Sequence, residues 1–218
     1  MARFGRIALA GAAVFVEVGD EHLYVLSCAP WEGVARTGQV VPAAEASWLV
    51  PTPASKVVAV GQNYRAHAAE LGKKVPEEPL LFLKPSTALN PHLGPIVLPQ
   101  DSQEVHHEAE LALIIGQRLT KVGEAAAAAG IFALSCFNDV TARDVQRKET
   151  QHTRAKGYDT FACLGPWMVT GLDWKDLRVQ CRVNGVTRQD GRTSDMVHPP
   201  PKLVAFISHV MTLLPGDV

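Results

Sequence analysis

Two residues, Asn184 and Gly185, constrain the fold of this chain more than any others. They separate two short strand-like runs, Val179-Gln180-Cys181-Arg182-Val183 and Val186-Thr187-Arg188. Asn-Gly accepts the positive φ angles of a type I′ turn, so the pair dictates an antiparallel hairpin. The same habit of short strands recurs along the chain. Lys56 to Val60 reads as a buried strand ending at Gly61, and Leu80 to Leu83, Glu108 to Ile115 and Ile131 to Phe137 read as further strands. Helices are few. Asn63 can cap a short one over Tyr64 to Leu71, closed by Gly72, and Glu124 leads a run, Ala125 to Ala129, closed by Gly130. A third puts Leu203, Phe206, Ile207, Val210 and Met211 on one face. The class expected is mainly β with α.

Residues 1–50 read as short strands with polar turns, and Val50-Pro51-Thr52-Pro53 reads as a linker. The simplest division is a small N-terminal β domain over 1–50 and a larger domain over 55–218. Gly72 to Pro79 is polar and proline-bounded, suited to a loop that closes over a ligand. Leu213 to Val218 reads as a helix exit, a turn and an unpaired strand start, so the second domain is expected to lack its C-terminal strands.

Composition narrows the function classes. With 218 residues, 47% hydrophobic and 20% charged, the chain can bury a core and stay soluble. Its 21 basic and 22 acidic residues are intermixed, which leaves no field for a polyanion and argues against nucleic acid. No stretch approaches the roughly 20 apolar residues of a membrane span. Arg3 and Arg6 precede an apolar run, Ile7 to Val16, that resembles a short signal peptide. The run continues through Glu17, turns at Gly19-Asp20 and resumes as His22 to Leu26, which is a hairpin pattern, so a cytoplasmic location is expected. Cys28, Cys136, Cys163 and Cys181 are widely spaced, form no CxxC pair and are expected to be buried free thiols.

The chemistry concentrates in acidic residues on apolar strands. In His106 to Ile115 a period of two puts Glu108 and Glu110 on one face and Leu111, Leu113 and Ile115 on the other. Two converging carboxylates need a shared proton or a cation, although on spacing alone a solvated strand face is the plainer reading, since Glu-x-Glu is common. Asp139 ends the apolar run Ile131 to Asn138, a position where functional groups tend to be presented. Three carboxylates make a hard oxygen site for Mg²⁺ or Mn²⁺, and Ca²⁺ also suits it. His106 and His107 leave a zinc reading open, with only His106 on the carboxylate face by parity. His67 and Glu70 are three apart on the expected helix, the outline of an acid–base pair, although a histidine near a glutamate is more often incidental. No phosphate loop, dinucleotide fingerprint or Ser-His-Asp arrangement is evident.

Five ordered blocks carry a family resemblance: Gly61-Gln62-Asn63-Tyr64-x-x-His67-x-x-Glu70; Leu81-Phe82-Leu83-Lys84-Pro85-Ser86-Thr87; His107-Glu108-x-Glu110-Leu111; Asp139-Val140-Thr141-Ala142-Arg143-Asp144 with Gln146; and Lys156-Gly157-Tyr158-Asp159-Thr160. Over residues 55–218 the chain resembles the fumarylacetoacetate hydrolase family, in the branch of acylpyruvate hydrolases, oxaloacetate decarboxylases and hydroxyhepta-dienedioate isomerases. The resemblance implies a mixed β-sandwich roll, metal ligands Glu108, Glu110 and Asp139, and a lid bearing His67 and Glu70. It also implies substrate contacts from Arg143, Gln146 and Lys156, with Tyr64 beside them, and a homodimer is expected. The implied substrate is a small 2-oxo acid, worked on through a metal-bound enolate. His67 would serve as water activator or proton shuttle, Glu70 as its orienter and Lys156 as a catalytic charge. From that enolate, carbon–carbon bond hydrolysis of an acylpyruvate is the leading expectation, with decarboxylation of oxaloacetate and tautomerisation as alternatives. For Arg143 and Lys156, surface salt bridges are the plainer reading of the residues alone. A binding protein that keeps the scaffold without turnover is the rival from another class.

Overall fold

A computed structural model describes residues 1–65 and 76–218. Strands β1 (Arg3–Leu9), β2 (Ala12–Val18), β3 (His22–Leu26) and β4 (Arg36–Pro42) form an antiparallel meander, and β5 (Ser47–Leu49) returns to pair with β1. The apolar run from Ile7 to Val16 is therefore two strands and not one. Ala10 and Gly11, at φ 49° and 82°, reverse it before the expected turn at Gly19. Alternation then buries Ile7, Val16, Val18, Leu23 and Val25 in one cluster.

The rest of the chain supplies β6 (Val57–Gly61), β7 (Leu80–Lys84), β8 (Leu89–Asn90), β9 (Val105–His106), β10 (Ala109–Ile115), α1 (Glu124–Gly130), β11 (Ile131–Asp139), β12 (Thr141–Ala142), α2 (Arg143–Lys148), α3 (Thr153–Gly157), β13 (Ala162–Leu164), β14 (Met168–Val169), β15 (Arg178–Val183), β16 (Val186–Arg192) and α4 (Pro200–Val210). The large sheet runs β4-β3-β2-β1-β14-β11-β13-β8, with β10 also paired to β11. The meander thus continues the sheet of the larger part through Arg3–Val169 and Phe4–Met168. β6–β7, β9–β12 and β15–β16 are separate pairs, and the last turns through Asn184 and Gly185 at φ 51° and 79°. The fold is mainly β, with an N-terminal β domain and short helices.

Several local expectations are corrected. In the stretch read as a linker, Pro51 and Thr52 are buried and the Thr52 hydroxyl donates to the Gly216 carbonyl at 2.7 Å. α4 buries Leu203, Val204, Ala205 and Ile207, whereas Val210 is 61% exposed and Met211 lies past its end. The four cysteines are free, but none is buried. Cys136 is exposed because it alternates with the buried Ser135 and Phe137 on β11. The helix expected over Tyr64 to Leu71, with Asn63 as its cap and Gly72 as its end, lies largely outside the described residues; the Asn63 side-chain amide donates to the His198 carbonyl at 3.0 Å and its Oδ1 accepts from the His198 N–H at 2.9 Å. Asp217 and Val218 lie between β6 and β10, where an unpaired strand start was expected. The Val58 N–H donates to the Val218 carbonyl at 2.8 Å and the Ile115 N–H to the Asp217 carbonyl at 2.9 Å.

Candidate metal centre

β10 and β11 run antiparallel with Ala109 opposite Asn138, which brings the start of one strand to the end of the other. Glu108 stands just before β10, outside the ladder where the sequence pattern had included it. It is tied to β11 all the same: its N–H donates to Asn138 Oδ1 at 2.9 Å, and its carbonyl accepts from the Asp139 N–H at 2.9 Å. β9–β12 pairing closes the neighbouring turn, with Thr141 opposite His106. One carboxylate oxygen from each of Glu108, Glu110 and Asp139 therefore lies within 4.8 Å of the others. Among the described residues no other group of three His, Cys, Asp or Glu side chains comes so close. His106 points elsewhere, with Nε2 3.5 Å from Glu104 and its side chain 52% exposed, so neither histidine joins the cluster.

Among the described residues, three cations surround the carboxylates. α2 follows β12 directly and packs on β12 and β9, and α3 comes next and packs on β12 and β7, so both face the cluster. Lys156 of α3 donates from Nζ to Glu108 Oε2 and Asp139 Oδ2 at 2.6 Å each, and lies 5.0 Å over the Phe82 ring. Its ammonium is almost wholly buried, so this is no surface salt bridge. Arg143 Nη2 pairs with Glu108 Oε1, and Arg143 Nη1 donates to Gln146 Oε1 at 2.8 Å. Lys84, at the last position of β7, donates to Asp139 Oδ1 at 2.5 Å and to the Val140 carbonyl at 3.2 Å. No role was read for Lys84 in the sequence, although a signal was there. It ends an apolar strand before a proline, as Asp139 ends β11.

Electrostatics separates these groups. Burial opposes ionisation of Glu108, but Lys156 and Arg143 outweigh it and hold the carboxyl below its usual value. Burial and then the charges of Asp139 and Glu108 push Glu110 well above the ordinary range. Burial also raises Asp139, against the pull of Lys84 and Lys156. Lys156 is disfavoured as a cation by burial, yet Asp139 and Glu108 raise it overall, so it stays an ammonium. Tyr64 borders a cavity of about 100 Å³ together with Glu110, among apolar side chains of β6, β10 and α4. Its hydroxyl is buried without a hydrogen-bond partner among the described residues, and burial followed by Glu110 and Asp195 keeps the phenol protonated. His67 and Glu70 lie outside the described residues.

The donor set fits a divalent ion. All three groups are carboxylates, their oxygens converge, and Glu110, the one with no hydrogen bond from a described cation, is the one whose charge the protein least tolerates.

Comparison with known proteins agrees. Residues 56–218 match the family described as fumarylacetoacetate (FAA) hydrolase, C-terminal, and residues 2–51 match Rv2993c-like, N-terminal. The mitochondrial oxaloacetate tautomerase FAHD1 of Arabidopsis thaliana is 41% identical over 170 residues, covering 75% of this chain and 76% of that protein. A 2-hydroxyhepta-2,4-diene-1,7-dioate isomerase from Mycobacterium marinum superposes with a TM-score of 0.89 at 40% identity, covering 100% of this chain and 85% of that one. A 5-carboxymethyl-2-hydroxymuconate delta-isomerase from Mycobacterium smegmatis does so with a TM-score of 0.89 at 45% identity, covering 99% and 85%. With a family match spanning most of its length and a carboxylate triad at the junction of β10 and β11, this chain belongs to the fumarylacetoacetate hydrolase family.

Proposed function

We propose that the protein is a metal-dependent tautomerase of small 2-oxo dicarboxylic acids, moving a proton between the carbon next to the oxo group and the oxo oxygen. The observation that carries this reading is the buried Lys156 ammonium, held against two of the three converging carboxylates beside Arg143. A divalent ion held by Glu108, Glu110 and Asp139 would supply Lewis acidity toward the substrate's oxygen donors. The protein's own groups do the remainder. Lys156, kept cationic by its neighbours, offsets the negative charge that grows on the oxo oxygen as the adjacent C–H bond is lost. Arg143, steadied by Gln146, binds a carboxylate end, and the protonated Tyr64 hydroxyl donates a hydrogen bond. His67 is the proposed proton carrier, with Glu70 orienting it.

The named tautomerase and isomerase relatives support proton relocation over bond cleavage. Cleavage of an acylpyruvate needs an activated water in addition to these groups, and a decarboxylase must expel a carboxylate. The test follows the enol absorbance of oxaloacetate alongside pyruvate release, with Mn²⁺ present. Accelerated loss of the enol without pyruvate is expected. Pyruvate formed from oxaloacetate or acetylpyruvate at the rate of enol loss would replace this reading with decarboxylation or hydrolysis.

A further inference from the structure

The segment Glu108-Ala109-Glu110 carries two of the three carboxylates, so the pitch of its backbone decides where both point. On one edge it is held by β11 and Asn138, as described. In an antiparallel strand, the backbone groups of successive residues face opposite edges. Ala109 therefore presents its N–H and C=O away from β11, where they would need another partner. Gln189 of β16 supplies both: its Oε1 accepts from the Ala109 N–H at 2.8 Å, and its Nε2 donates to the Ala109 carbonyl at 2.6 Å. One side-chain amide does there what a neighbouring strand would do. The β15–β16 hairpin shares no ladder with β10, and among the described residues these two are the only hydrogen bonds between them.

We propose that Gln189 is a positioning residue for the metal centre, locking the backbone between Glu108 and Glu110 so that their carboxylates meet Asp139. This rests on the reading of the triad as a divalent site. An amide is required because the task needs a donor and an acceptor on one planar group at one reach. Methionine matches the length with neither function. Asparagine keeps the chemistry but falls one methylene short. Partners that hold a metal ligand in place, without touching the ion, typically set affinity by 10- to 100-fold.

The experiment is a calorimetric titration of Mn²⁺ into the full chain as wild type, Gln189→Met and Arg188→Ala, with thermal unfolding of each metal-free protein. Arg188 is the exposed neighbour on the same hairpin and touches none of the site. Gln189→Met is expected to weaken Mn²⁺ binding about tenfold or more and to broaden the Mn²⁺ paramagnetic resonance spectrum, while Arg188→Ala leaves both unchanged. Should Gln189→Met fail to fold, Gln189→Asn is measured against the same criterion. A folded variant that binds Mn²⁺ as wild type does, or an equal loss in Arg188→Ala, overturns the proposal for Gln189 alone. A wild type that binds no Mn²⁺ overturns the divalent site, and this role with it.

Discussion

In the N-terminal meander, Arg3 reaches Asp20 at 2.7 Å and Arg36 reaches Glu17 at 2.8 Å, with side chains that remain substantially in water. At the carboxylate cluster the contacts are of similar length, yet Lys84, Lys156 and Asp139 are almost wholly withdrawn from it. Equal distances therefore conceal different physics. In the meander, water screens each pair, and stability comes from the apolar cluster around Leu23 and Val16 beneath. At the cluster, Lys84, Lys156 and Asp139 have given up almost all their hydration and depend on one another's presence. The first region can lose a charge with little consequence. The second cannot lose one without exposing the cost of all.

The sharpest way to break the comparison is Lys84→Met. It fills a similar volume but leaves Asp139 Oδ1 and the Val140 carbonyl without their donor, in a place water does not reach. Removing one partner of a buried pair typically costs about 3–5 kcal/mol, and that loss is expected in urea unfolding with an unchanged m-value. Lys84→Met combined with Asp139→Asn should recover part of it, since the uncompensated charge is then gone. A loss under about 1 kcal/mol for the single variant would place this pair with the surface bridges.

The second test adds charge to the cluster. Mn²⁺ at about 100 times its dissociation constant should stabilise the chain by about 2.7 kcal/mol, read as a rise in unfolding temperature that Glu110→Gln abolishes. The pH dependence has a definite sign. Glu110 must be ionised to ligate, and its pKa is raised by burial and by Asp139 and Glu108. Mn²⁺ affinity should therefore fall as pH drops through that raised value, beginning above the usual 4.5 of a glutamate. Affinity that holds until the pH falls well below 4.5 would show that Glu110 is not a ligand.

The same contrast explains what could be read in the sequence. The meander and the Asn184-Gly185 hairpin follow local rules of alternation and turn chemistry, which act over a few residues. Glu108, Glu110 and Asp139 stood out because acids on apolar strands are unusual. Lys84 occupies the same kind of position, but a lysine is expected to carry its long stem outward to water, so its ending is easy to pass over. Gln189 escaped for another reason. The hairpin that bears it was legible, but its link to Ala109 joins residues 80 apart, and nothing local marks such a contact. Asn63 and His198, 135 apart, are a second case, since nothing local marks a partner so distant. Cys136 erred in the opposite direction: an apolar run suggested burial on both faces, and the sheet leaves one of them open.

The smallest effect is expected at Asp20. Its carboxylate is 94% exposed and Arg3 is 37% exposed, so the pair gains little Coulomb energy and immobilises two side chains to do so. Arg3 has a second contact, 5.6 Å from the Trp167 ring centre, which does not depend on Asp20. Asp20 also lies in the turn between β2 and β3, where no ladder bond of the meander needs its side chain. Asp20→Ala should therefore change stability by less than about 0.5 kcal/mol, and that change should disappear in concentrated salt, where surface charges are screened. The measurement is urea unfolding at low and high ionic strength, beside Lys84→Met under the same conditions. The cost of Lys84→Met should persist in salt, because the buried Lys84–Asp139 contact is little screened by ions in the surrounding water. If Asp20→Ala costs as much as Lys84→Met, or if both fade equally in salt, burial is not what separates the two regions.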